Sequence, residues 1–125
     1  MKIYISGKIT GLDPEHARAM FDEAEDWINI HGHEPVNPMQ KVSEQAGYTW
    51  EQYMLEDIAL LFDCDGILLL HNWQDSKGAR IERAICEVLG KSIFYQETPI
   101  EDLLTIEAET RPSGSVSNAT QEAAA

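Results

Sequence analysis

Two acidic residues in this 125-residue sequence interrupt apolar helical stripes, and carboxylates placed in that way can do chemistry. At helical spacing Glu82 shares a stripe with Gly78, Ile85 and Leu89. Its side chain leans toward the helix N-terminus, over Gly78 and Ala79, whose small size leaves room in front of the carboxylate. Asp57 repeats the pattern among Trp50, Tyr53, Met54, Leu60 and Leu61. A buried carboxylate is costly unless it is paired or used. Each acid alone reads equally well as a rim residue reaching water, whereas two near one sheet edge shift the balance toward function. Such a pair suits glycosidic chemistry: one carboxylate attacks or stabilises the anomeric carbon and the other assists proton transfer or orientation. The helix N-terminus and Arg80 favour ionised Glu82 and desolvation opposes it, which leaves the direction of its pKa shift open.

Two loops qualify to hold a ligand. In open α/β sheets ligands sit at the carboxyl ends of the strands, where the loops Gly7 to Gly11 and His71 to Gly78 fall. Gly7 and Gly11 let backbone N–H groups approach an anion, and Lys8 adds a point charge. The same residues also make an ordinary strand-to-helix turn. Trp73 in the second loop is placed either to stack on a base or to pack. Neither a metal nor a cofactor is expected: His31-Gly32-His33 reads as a helix end, and Ile9-Thr10-Gly11-Leu12 lacks the spacing of a Walker loop. Cys64 and Cys86 read as buried free thiols.

The elements that must position these groups alternate. Ile3-Tyr4-Ile5 is β-prone and stops at Ser6-Gly7. Asp13 as N-cap and Pro14 at the first helical position start a helix that runs to about His31, with Gly32 as its stop. Glu34-Pro35-Val36 makes a short strand, and Asn37 to Tyr48 a loop. Thr49 with Gln52 forms a capping box for a helix to about Phe62. Gly66 to Leu70 is an uninterrupted apolar run, as expected of a buried parallel strand. A loop over His71 to Lys77, a helix from about Gly78 to Leu89, a strand over Ser92 to Tyr95 and a last helix from Thr98 to near Glu109 complete the order. This predicts a doubly wound, Rossmann- or flavodoxin-like parallel sheet of four to five strands with helices on both faces. One domain fills residues 1–110, and the Ser, Gly, Ala and Thr of 111–125 predict a disordered tail.

Charge narrows the partners. With 22 acidic and 9 basic residues the net charge is −13, which argues against a nucleic-acid polymer as ligand. A small anion needs only a few amides and one or two basic side chains. No apolar run reaches the roughly 18–20 residues that span a bilayer, and the start lacks a signal peptide's apolar stretch, so a cytoplasmic protein with no membrane partner is expected.

The segment Ser76-Lys77-Gly78-Ala79-Arg80-Ile81-Glu82-Arg83-Ala84, followed by Leu89-Gly90-Lys91, resembles the signature of the nucleoside 2-deoxyribosyltransferase superfamily. The similarity covers residues 1–95 and is greatest to a small uncharacterised branch in bacteria and phages. The resemblance implies that Glu82 is the nucleophile of a covalent glycosyl-enzyme and that Tyr4 orients it. It implies that Asp57 holds the sugar or assists the base. Ser76 matches the position that binds the 5′-phosphate in the nucleotide N-hydrolase branch, and Gly7, Lys8 and Gly11 match that branch's phosphate loop, with the Gly78 amide beside them. The implied activity is N-glycosidic cleavage of a (deoxy)nucleoside 5′-monophosphate. Asp75, beside Ser76, keeps a base-exchanging transferase open, and a non-catalytic nucleotide-binding module is the third alternative. The family also implies a homo-oligomer, dimer or larger, whose neighbouring subunit completes each site. No counterpart of that completing residue is identified in Thr98 to Ala125, and the sheet reads one strand short of the family's usual five.

Overall fold

A short strand at the start of the chain, β1 (Lys2–Ser6), sends alternate side chains to opposite faces of the sheet. Ile3 and Ile5 meet Phe21, Ala24 and Ile28 from helix α1 (Pro14–Ile30) on one side. Tyr4 meets Leu61 of α3 (Trp50–Phe62) and Ala79 and Cys86 of α4 (Lys77–Leu89) on the other. The computed structural model describes residues 1–42 and 45–96 and the backbone of Ala108–Glu109.

Beside β1 lie β2 (Glu34–Val36) and β3 (Gly66–Leu69), and β4 (Ser92–Tyr95) follows β3, all parallel. Tyr4 is in register with Val36 on one side and Ile67 on the other. Every residue of β3 is buried, as expected of a strand covered on both faces. The doubly wound α/β sheet is therefore present, with four parallel strands. A fifth pairing differs from expectation: Ala108–Glu109 forms β5, antiparallel to Ile93 and Phe94. The end of the expected last helix is thus a strand, which covers backbone groups that the β4 edge would otherwise leave unpaired. The rest of that helix and the expected tail over 111–125 lie outside the described residues.

The helix starts follow their caps. Asp13 accepts from the His16 amide with Pro14 next to it. Thr49 and Gln52 make both bonds of the capping box. Ser76 accepts from the Ala79 amide at 3.0 Å, so α4 begins at Lys77, one residue before the expected start. Gly90 takes a φ of 74° to close it. The expected loop after β2 contains a further turn of helix, α2 (Pro38–Lys41), capped by Asn37, which accepts from the Met39 amide. Between β3 and α4 a 3-10 turn spans Trp73–Asp75.

Candidate active site

The buried stripe of α4 is Ala79, Glu82, Arg83 and Cys86. It is rotated from the expected Gly78, Glu82, Ile85, Leu89 line, and Leu89 is half exposed. The rotation turns Glu82 squarely toward β1, where the pleat presents Tyr4 and Ser6 on one face. The Tyr4 hydroxyl donates to Oε2 of Glu82 at 2.9 Å, and the Ser6 hydroxyl donates to Oε1 at 2.6 Å. Glu82 is 4% exposed. Arg83, its neighbour, points to the far side, where Nε donates to the Tyr95 hydroxyl and the guanidinium lies over the Trp73 ring.

Burial pushes the Glu82 carboxyl up to about 7, against the hydrogen bonds from Ser6 and Tyr4, which favour its ionised form; the Asp57 charge adds to the rise. Half-buried Asp57 is also pushed up to about 7, first by desolvation and then by the Glu56 charge. Among the described residues no hydrogen bond reaches the Asp57 carboxylate. Burial and the charges of Glu82 and Asp57 hold the Tyr4 phenol well above its ordinary range, so it remains a neutral donor.

Both acids face one cleft of about 1020 Å³ at the carboxyl ends of β1 and β3. Tyr4, Gly7, Lys8, Asp57, Ser76, Gly78 and Glu82 all line it, so seven of the eight residues singled out from sequence come together. Gly11 does not line it. With a φ of 88° it makes the turn between β1 and α1. The Lys8 amide is likewise not free for an anion, because it donates to Oδ1 of Asn72 at 3.0 Å. Gly7 is small for a packing reason: a Cβ there would lie 2.8 Å from Cδ1 of Leu70. Gly78 leaves room beside Met54, whose sulfur would be 3.0 Å from an added Cβ. The Ser76 oxygen caps α4, which leaves its hydroxyl proton to donate, and the first amides of α4 have no intrahelical acceptor.

Several lining residues escaped the sequence analysis. Ser6 was legible in principle, two residues from Tyr4 and so on the same pleat face. Arg18 from α1 and Lys77 at the start of α4 add cations to the wall. Trp50 lines it as well, with Lys77 Nζ 4.3 Å from its ring centroid. Trp73 instead packs against Tyr95, with ring centroids 5.9 Å apart, away from the cleft. Among the described residues no three His, Cys, Asp or Glu side chains converge to hold a metal ion, and no helix is long and apolar enough to cross a membrane. Both cysteines are buried free thiols, with Cys86 pushed up to about 12 by desolvation.

A family model described as a domain of unknown function, DUF4406, matches residues 1–95. The chain belongs to this family. Within it, the matched segment carries β1 through β4 and every lining residue of the cleft. No curated protein matches the sequence. Among solved structures, a 2-deoxyribosyltransferase from the psychrotolerant bacterium Bacillus psychrosaccharolyticus is similar at 20% identity, with a TM-score of 0.59. The likeness covers 76% of this chain and 71% of that one, and it is a likeness of fold.

Proposed function

We propose that this DUF4406 chain is an enzyme that cleaves the N-glycosidic bond of a nucleoside 5′-monophosphate, with Glu82 as nucleophile and Asp57 as the proton-carrying partner. The observation that carries this is the pairing of the two acids on one cleft with unequal support. Glu82 receives two hydroxyl donors that favour its charged form, and Asp57 receives none. When two nearby acids share a proton, it resides on the one whose surroundings favour the neutral form. A Glu82 oxygen attacks C1′ as the C1′–N bond breaks; the electron pair stays on the base, which takes the Asp57 proton. Water then attacks C1′ from the vacated face and returns a proton to Asp57, releasing Glu82 with net retention.

Three cations support the phosphate. Lys8, Arg18 and Lys77 line the cleft and have no ion pair among the described residues, in a chain of net charge −13. An anionic group on the substrate would find them, with the Ser76 hydroxyl and the Gly78 amide at the start of α4. Base exchange between nucleosides is the second reading. It shares the first half-reaction, and the fold likeness to a 2-deoxyribosyltransferase favours it. On either reading the protein works as a dimer or larger, because a cleft open on one side does not exclude water by itself.

The deciding experiment incubates the protein with ribo- and deoxynucleosides and their monophosphates, with and without a free base, and separates the products. Base release without an acceptor identifies a hydrolase, and exchange only with an acceptor a transferase. Tight nucleotide binding without release over long incubation would identify a binding module. Glu82→Ala abolishes either activity; full turnover in that variant would sink the proposal. Light scattering that finds an active monomer would remove the oligomer.

A further inference from the structure

Ser6 ends β1 in a position fixed from several sides. Its carbonyl accepts from the Leu70 amide at 2.8 Å, and the next residue, Gly7, packs so closely on Leu70 that no side chain fits there. Ser6 is 1% exposed and its hydroxyl donates to Oε1 of Glu82 at 2.6 Å, within the range of a charge-assisted bond and shorter than the bond from Tyr4. A donor held this rigidly needs no reorganisation when charge on its acceptor changes.

We propose that Ser6 is a positioning residue for Glu82: its hydroxyl fixes Oε1, while Tyr4 fixes Oε2, and so presents the carboxylate to the cleft in one orientation and favours its charged form against the cost of burial. The consequence for reactivity rests on the function proposed above; the consequence for the carboxylate itself does not. Without Ser6 one oxygen of a desolvated carboxylate loses its donor, and protonation becomes easier. The other titratable groups around Glu82 are Tyr4 on β1, Asp57 on α3 and Cys86 on the next turn of α4, with Lys8, Arg18, Glu51, Tyr53, Asp75 and Lys77 along the cleft. None of them replaces a donor on Oε1.

The test reads Glu82 directly. The full-length protein is labelled with 13C at the glutamate carboxyl, the Glu82 signal is assigned by its loss in Glu82→Gln, and its titration is followed in Ser6→Ala, Ser6→Cys and Ser6→Thr. Ser6→Ala should raise the proton affinity of Glu82 about tenfold or more, the size expected when a hydrogen bond to a charge is lost. Ser6→Thr keeps the hydroxyl and should stay within about threefold of wild type. If Ser6→Ala does not fold, Ser6→Cys takes its place, with a weaker thiol donor and an expected rise above about threefold. A Glu82 titration unmoved in the folded variant overturns the proposal, since a Ser6 that only packs would alter melting temperature alone. Where base release is detected, the acid limb of its pH profile should move upward with the titration and kcat should fall more than KM rises. If no substrate is turned over while the titration moves as expected, Ser6 keeps its role and the proposed activity fails by itself.

Discussion

The backbone N–H of Lys8 and the side-chain oxygen of Asn72 are 3.0 Å apart, so the loop after β1 is bonded to the loop after β3. These are the two loops that frame the cleft from the strand ends, and the bond fixes where the Lys8 side chain starts. Asn72→Ala leaves the part-buried amide without its acceptor and should cost about 1 kcal/mol of stability in urea unfolding. Monophosphate affinity, measured by calorimetry, should fall with it while nucleoside affinity holds.

Stability should depend on pH through Glu82 in a defined direction. Burial pushes its carboxyl from the ordinary value of 4.5 to about 7 in the folded protein. Between these values the folded state holds a proton that the unfolded state has released, so stability declines as pH rises from about 4.5 to about 7 and levels off above. Glu82→Gln removes that dependence. The variant should gain on wild type by about 3 kcal/mol between pH 4 and pH 8 in denaturant titrations. An equal stability difference at the two pH values would contradict the buried, raised carboxylate.

Asp57 should set the basic limb of activity. With its carboxyl pushed up to about 7, the protonated form is lost above neutrality, and base release should decline there. Asp57→Asn should lower kcat by about 10²- to 10⁴-fold, the usual worth of a general acid. A nucleotide whose base leaves without protonation, such as an N7-methylated purine, should escape most of that loss. An equal loss with both substrates would assign Asp57 to binding instead.

Two glycines should answer alanine differently. At Gly7 an added Cβ meets Cδ1, Cβ and Cγ of Leu70 at 2.8–3.0 Å, and Leu70 is fully buried in the core. Gly7→Ala should cost about 1–3 kcal/mol, as overpacking does. At Gly78 the nearest atom is the Met54 sulfur at 3.0 Å, the end of a flexible side chain. There the helical preference of alanine, about 1 kcal/mol over glycine, offsets the shift, and Gly78→Ala should melt near wild type.

Most of the architecture was legible because its signals are local. Asp13-Pro14, Thr49 with Gln52, and Gly90 mark helix ends by their own chemistry, and the apolar run from Gly66 announces a buried strand. Asn37-Pro38 carries the same kind of cap, and reading it as loop overlooked α2. What stayed hidden depends on contacts far apart in sequence. The pairing of Ala108–Glu109 with β4 is a tertiary choice that no local pattern announces. The Glu82 bond to Ser6 spans 76 positions, and the loss of the Lys8 amide to Asn72 spans 64. The acids themselves were found because a carboxylate on an apolar stripe violates the solvation rule wherever it stands.

The pleat of β1 has a consequence for how this sequence can vary. Residues 3 and 5 fill the α1 side and residues 4 and 6 serve Glu82, all within a strand of 5 residues. Inserting or deleting one residue before Ser6 would exchange the two faces, setting isoleucine side chains against the carboxylate and hydroxyls against Phe21. Point substitutions and changes in pairs keep the parity. In a library of length variants, survivors should therefore carry their indels in the turn around Gly11 or beyond Gly32, and in β1 only as even numbers.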